Sequence, residues 1–298
     1  MARALKKHRC TTAFGSPAIW RRVAPWAIEN HVQFPGLTRV LIAGAAVPPS
    51  LVADLQECLP DGDVGTPYGA TESLPTANHW GRDILGDTAA GSLAGKGTCV
   101  GKPAPGITLR ILAIDDAPIA DMDSARVLGV GVIGEITVSG DVVTREYANR
   151  PEATAAAKLT SSGRLGTTVT WHRVGDLGYL DELGRLWFCG RKSERVETAG
   201  GPLYTDCVEG SLAGVCGGRR IALIGLGPRG AERPALCVEG AAESSIEAAL
   251  RALDYAVFFR PAFPVDVRHN AKIHRLQLKA WAESHTALVL GTKARGQG

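Results

Sequence analysis

Tyr68-Gly69-Ala70-Thr71-Glu72 opens a series of four short motifs that continues, in order, with Arg173-Val174-Gly175-Asp176-Leu177, Gly190-Arg191-Lys192 and Arg268-His269-Asn270-Ala271-Lys272-Ile273. A lone pentapeptide would carry little weight, and the series gains its meaning from order and context. Upstream, residues 37–43 (LTRVLIA) form a short apolar run ending at glycine. Residues 48–59 then place apolar side chains at Leu51, Val52, Leu55 and Leu59. This pattern predicts a strand, a tight loop and a helix started by prolines, which suit a first turn whose N–H groups have no intrahelical partner. Gly44-Ala45-Ala46 occupies the loop, the position where open α/β sheets receive ligands and where small residues let a flat ring approach the backbone.

Downstream the pattern turns to β, with ITLRILAI and GEITVSG inside residues 107–138. Residues 176–191 (DLGYLDELGRLWFCGR) read as a hairpin turning near Glu182 to Gly184. Antiparallel pairing about that turn predicts that Asp176 and Arg191 emerge at one end. A compact α+β segment follows, with strands expected over 220–226, 234–238, 256–260 and 265–268 and a helix entered near His274. Its best helix follows Ser244, where Ser244 and Glu247 have the spacing of a capping box. The domain boundary is placed at 192–194, and the end, TALVLGTKARGQG, has little to anchor it and should fray.

A chain of 298 residues with 45% hydrophobic content can bury a substantial core. Its net charge of +3, from 33 Lys and Arg against 30 Asp and Glu, is too small and too interspersed to suggest nucleic acid. Seven cysteines with no C-x-x-C pair argue against a disulfide framework and a structural zinc site, and the histidines show no metal spacing. They read as reduced and mostly buried. The basic start MARALKKHRC leads into no apolar h-region, and no apolar run is long enough to span a bilayer, so a cytoplasmic location is expected. Glycine, at 36 residues, exceeds the usual share of about 7% but without a period, which points to tight turns.

Taken together, Tyr68-Gly69-Ala70-Thr71-Glu72, Asp176, Arg191 and Lys272 resemble the adenylate-forming enzymes: acyl-CoA synthetases, luciferases and nonribosomal adenylation domains, which activate a carboxylate as acyl-AMP. Glu197-Thr198-Ala199-Gly200-Gly201-Pro202-Leu203-Tyr204-Thr205, Asp116-Ala117-Pro118-Ile119 ahead of Gly134-Glu135-Ile136, and the phrase around Lys272 look like the olefin-biosynthesis β-lactone synthetases. The resemblance runs from Phe14 to Trp281 and implies an α/β plus α+β chain. Residues 1–191 would be the C-terminal part of a large AMP-binding domain with an α/β and a β-rich subdomain. Residues 192–285 would be a small mobile domain hinged at Ser193, and 286–298 a frayed tail. Such enzymes carry a Ser/Thr/Gly-rich, lysine-ended phosphate loop upstream, and no such stretch precedes Tyr68 here. Low turnover by this chain alone is therefore expected.

ATP-dependent activation needs a nucleotide cradle, a metal across the phosphates and a cation where charge builds at the α-phosphate. The resemblance implies that Tyr68 stacks near adenine, with Gly69 and the Gly44, Ala45, Ala46 loop beside it. It implies that the Thr71 hydroxyl contacts the α-phosphate, that Glu72 helps hold Mg²⁺, and that Asp176 accepts from the ribose hydroxyls with Arg191 at the same nucleotide. Lys272, a flexible point charge, would swing over the acyl-phosphate junction. Ala271 stands where the family usually has Gly, and Ser193 where many relatives have Asp or Lys. The cofactors implied are ATP/AMP and Mg²⁺, with Thr71, Glu72 and Lys272 as the catalytic set. The substrate implied is a long-chain β-hydroxy acid whose own hydroxyl closes a β-lactone. A separate chain supplying the upstream segment, or other olefin-biosynthesis enzymes, are the implied partners.

Each motif has a plainer reading when taken singly. Thr71-Glu72 can be a turn or helix-cap pair, Asp176 with Arg191 a surface ion pair of little energetic weight, and Lys272 a solvated lysine. At the level of the whole chain, the alternatives are a non-catalytic fragment, one half of a split enzyme, or a fatty acyl-CoA ligase. Gly225-Leu226-Gly227-Pro228-Arg229-Gly230 spells the dinucleotide fingerprint. Pro228 and Pro234 interrupt what would have to be its helix, so it reads as a loop between strands, and an oxidoreductase is not expected.

Overall fold

The computed structural model describes residues 1–163, 167–253, 255–265 and 273–288. The chain forms two compact units, one of Met1–Ala89 with Cys99–Phe188 and one of Ala90–Thr98 with Cys189–Gly298.

The first unit begins with α1 (Ala2–Lys7), β1 (Thr12–Gly15), α2 (Pro17–Glu29), β2 (Arg39–Ile42), α3 (Pro49–Cys58) and β3 (Asp63–Ala70). β1, β2 and β3 pair in parallel, so each step between them needs a crossover, and α2 and α3 supply it. Both helices carry Pro in the first turn and bury one stripe: Trp20, Val23, Ala24 and Ala27 on α2, and Leu51, Val52, Leu55 and Cys58 on α3. These close with Val40, Ile42 and Val64 into one core. The expected strand, Gly44 loop and proline-started helix are all present, and Gly44 holds φ +93, a left-handed conformation that favours glycine.

The sheet then turns antiparallel. β4 (Ser73–Trp80) pairs with β3, and β5 (Thr98–Pro103) with β4; α4 (Gly81–Asp83), a π-helical turn over Ile84–Thr88 and α5 (Ala89–Leu93) lie between β4 and β5. The β-rich part follows as β6 (Thr108–Leu112), β7 (Gly134–Ser139), α6 (Pro151–Ala157), β8 (Lys158–Ser162) and β9 (Thr168–Leu180). β9 turns at Asp181 to Arg185 into β10 (Leu186–Arg191), whose residues 186–188 belong to this unit. Strand order in the sheet is β1-β2-β3-β4-β5-β10-β9-β7-β6, with β8 on β9. The hairpin is where the sequence puts it, but its first strand begins at Thr168, so Asp176 sits inside β9 and not at its start. The apolar periodicity before Asp176 is broken by Thr170, His172 and Arg173, which hid the earlier half of the strand.

The second unit contains a 3₁₀ turn over Lys192–Glu194, β11 (Val196–Thr198), β12 (Gly201–Leu203), α7 (Thr205–Leu212), β13 (Ile221–Leu226), β14 (Arg233–Glu239), α8 (Ser244–Leu250), β15 (Ala256–Arg260) and α9 (Arg275–Glu283). Sheet β13-β14-β15 is covered on both faces. Leu223, Leu236, Val238 and Val257 pack with Leu212, Ile246 and Leu250 on one side. Ala222, Ile224, Cys237 and Phe258 pack with Leu278 and Ala282 on the other. Alternation along each strand accounts for the two sets.

Gly225 to Gly230 ends β13 and enters its connection to antiparallel β14, so no helix N-terminus exists there to receive a pyrophosphate. The capping box at Ser244 does not form. Glu243, one residue earlier, takes the N-cap position without a side-chain cap hydrogen bond, and Ser245 Oγ donates to its carboxylate at 2.7 Å. The strand expected over 265–268 and Lys272 itself fall largely or wholly outside the described residues, as does the tail from 289 onward. None of the seven cysteines is in a disulfide, and five of them are buried. Among the described residues no helix is long and apolar enough to cross a membrane.

Candidate nucleotide site

β3 carries the pentapeptide to the β3–β4 turn. Its second residue has to be glycine, because a Cβ on Gly69 would lie 2.4 Å from the Ser73 carbonyl oxygen, and the ladder bulges between Tyr68 and Ala70. Thr71 and Glu72 form the two-residue connection to β4, outside both strands. Gly69→Ala is expected to force that turn open, at a cost of about 1–3 kcal/mol. A urea titration of the variant would measure it, and a stability unchanged from the parent would count against the bulge as the reason for the glycine.

Tyr68 and Asp176 meet directly. The Tyr68 hydroxyl donates to Asp176 Oδ2 at 2.6 Å, across 108 positions of sequence. Asp176 is 4% exposed, so the surface ion-pair reading of this residue is wrong. Tyr68 also lies against Phe188, with ring centroids 6.0 Å apart and planes at 46°. Phe188 was not singled out from the sequence, although its place three residues before Arg191 on a strand beside β9 is the signal that could have found it. Arg191 ends β10 in the second unit, and Ser193, the hinge candidate, is the middle residue of the 3₁₀ turn Lys192–Glu194 that follows.

Glu72 is engaged by a residue that the sequence reading missed. Tyr147 donates its hydroxyl to Glu72 Oε1 at 2.8 Å. Burial pushes the Glu72 carboxyl up, but the Tyr147 hydrogen bond and the nearby Lys158 outweigh it and hold the group below the usual carboxylate range. Burial and the Glu72 charge push Tyr147 up to about 12, so it remains a donor at neutral pH. His172 is pushed down to about 4 by burial and by Lys158, and is neutral there. Tyr147 lies in Arg145-Glu146-Tyr147-Ala148, a polar stretch without periodicity, and nothing local marks it.

Glu72 offers a hard carboxylate oxygen of the kind Mg²⁺ takes. Among the described residues no group of three or more His, Cys, Asp or Glu side chains could hold a metal by itself. This fits Mg²⁺ bound by one carboxylate and completed by phosphates and water, which is how that ion is commonly held.

The sheet face opposite α2 and α3 opens into a cavity of about 1060 Å³. Val40 and Ile42 point into the helical core, whereas the intervening Leu41 lines the cavity. Phe14, 67% exposed, and Leu74, 58% exposed, add apolar wall, and Ala43, Pro67 and Pro75 extend it. Ala43 precedes the Gly44 loop, Pro67 precedes Tyr68, and Leu74 follows Glu72 by two residues. Pro67 faces the cavity, so Tyr68, the next residue of β3, faces the other side of the sheet.

The AMP-binding enzyme family matches residues 1–148. An olefin β-lactone synthetase of Stenotrophomonas maltophilia is 50% identical over 94% of this chain and 52% of its own length. One from Xanthomonas campestris pv. campestris is 45% identical over the same shares. Among solved structures, the amide bond synthetase McbA from Marinactinospora thermotolerans superposes with a TM-score of 0.70 at 24% identity, over 94% of this chain and 54% of its own. The O-succinylbenzoate coenzyme A synthetase of Bacillus subtilis in complex with ATP and magnesium ion gives 0.68 at 22%, over 93% and 53%. The chain thus spans about half the length of the relatives it matches.

Proposed function

The chain belongs to the adenylate-forming, AMP-binding superfamily, and from that premise we propose that it serves the ATP-dependent conversion of a long-chain β-hydroxy acid to a β-lactone. In the first step a carboxylate oxygen attacks the α-phosphorus of ATP, giving acyl-AMP and pyrophosphate. In the second the substrate's own hydroxyl attacks the acyl carbon, losing its proton, and AMP leaves. Because the nucleophile is tethered, the second step gains effective molarity once the chain is folded toward attack.

The observation that carries this reading is the buried Tyr68–Asp176 hydrogen bond, in a unit that also holds a largely apolar cavity. Asp176 would accept from the ribose, Tyr68 and Phe188 would flank the base, and the Gly44-Ala45-Ala46 loop and Gly69 would admit it closely. The cavity from Ala43 to Leu74 would take the acyl chain, whose burial is favourable in proportion to its apolar area. Thr71 would contact the α-phosphate, with Arg191 and Lys272 brought by the small domain about a hinge at Ser193. Mg²⁺, when bound at Glu72, would neutralise phosphate charge. The relatives' greater length supports a further segment supplying the β- and γ-phosphate contacts, either in continuity with these residues or as a separate chain.

The test is incubation with ATP, Mg²⁺ and a long-chain β-hydroxy acid, with and without a polypeptide spanning the remaining half of the 50% identical relative. AMP, pyrophosphate and the organic product are followed, and coenzyme A is added in a parallel arm. β-Lactone with AMP is the expected product, and a CoA thioester instead would make the protein an acyl-CoA ligase. Lys272→Ala is expected to slow AMP formation about 100-fold or more. Silence in every arm removes the proposal.

A further inference from the structure

Glu72 is held at two points by one loop. The Thr144 N–H donates to the Glu72 carbonyl at 2.9 Å, and the Tyr147 hydroxyl donates to Glu72 Oε1 at 2.8 Å. The loop is itself anchored. Lys158, buried at the start of β8, donates to the Thr144 carbonyl and hydroxyl at 2.5 and 3.0 Å, and its ammonium lies 5.7 Å from the centre of the Tyr147 ring. At the other end the Tyr147 N–H donates to Thr154 Oγ1 at 3.0 Å, which ties the tyrosine to α6.

The terminal torsion of a glutamate is broad, so packing alone does not fix the plane of its carboxylate. A hydrogen bond to one oxygen does. We propose that Tyr147 is a positioning residue for cation binding by Glu72, its hydroxyl fixing Oε1 so that Oε2 is presented in one orientation, with Lys158 holding the loop that carries it. This rests on the reading of Glu72 as the metal-holding carboxylate. Lys158 directs two hydrogen bonds to Thr144, not to Glu72, so the carboxylate charge is left for a cation rather than consumed in an ion pair. Partners of this kind that orient a ligand typically change metal affinity by about 10–100-fold when removed.

The experiment compares parent, Tyr147→Phe and Glu72→Gln chains. Mn²⁺ with ATP is the metal probe, read from the spectrum of free Mn²⁺ by electron paramagnetic resonance, and AMP binding without metal is read by calorimetry. Phe keeps the ring beneath Lys158 and removes only the hydroxyl. Tyr147→Phe is expected to bind AMP like the parent and to lose about tenfold in Mn²⁺ affinity, with Glu72→Gln losing at least as much. If Glu72→Gln weakens Mn²⁺ and Tyr147→Phe does not, the positioning role is wrong and the reading of Glu72 stands. If neither variant changes Mn²⁺ affinity, the reading of Glu72 itself fails. Loss of AMP binding along with Mn²⁺ in Tyr147→Phe would make the tyrosine a structural residue and overturn the inference.

Discussion

Asp176→Ala is expected to weaken AMP binding by about 100-fold, measured by calorimetry without metal. Hydrogen bonds to a charged group contribute about 1.5–3 kcal/mol each, and two of them from ribose hydroxyls amount to about two decades in affinity. The effect has a second source in the free protein, because Tyr68 donates to Asp176 Oδ2 and would lose its acceptor. Tyr68→Phe removes the same bond from the other side while leaving the carboxylate, and about a tenfold loss is expected. The double variant should lose less than the product of the two, since residues sharing one hydrogen bond do not act independently. AMP affinity unchanged in Asp176→Ala would end the ribose assignment.

Arg173→Met should cost about 3–5 kcal/mol of folding stability, the range for removing one member of a buried ion pair. Arg173 and Glu135 are joined at 2.6 Å, with side chains 3% and 2% exposed. Removing the guanidinium would leave a carboxylate in the interior without its cation. It would also strand the carbonyls of Asp115, Ala117 and Ala156, to which Arg173 donates. Urea unfolding of the variant would show a lower midpoint. Combining it with Glu135→Leu should restore part of the loss, because an apolar pair removes the uncompensated charge. A single variant as stable as the parent would mean that this pair contributes nothing net. Arg173 lies three residues before Asp176 on β9, so the same pair fixes the strand that presents the ribose candidate.

How far the sequence could be read depended on the range of the interaction. Leu37 to Ala43 followed by the proline-started helix needed only neighbouring side chains, since a strand's alternation and a helix's stripe are both written within a dozen residues. The hairpin turn near Glu182 to Gly184 was equally local, with Asp181 bonding the N–H groups of Leu183 and Arg185. The start of β9 and the cap of α8 were misjudged for the opposite reason. Thr170, His172 and Arg173 are polar residues that tertiary partners allow inside a strand. Glu243 takes the N-cap position and Ser244 the first helical one, even though Ser244 and Glu247 have the local pattern of a capping box.

The family was legible in the chain because short motifs retain their order whatever lies between them. Tyr68 with Asp176, Glu72 with Tyr147 and Arg173 with Glu135 became visible only when β3 through β10 took their places in one sheet. Those pairs are 108, 75 and 38 residues apart. Nothing in local propensity says which strands become neighbours. That is decided by burial of the whole set of apolar faces at once, and it is the same choice that leaves the cavity lined by Leu41 and Pro67 open while the other face of the sheet is sealed by α2 and α3.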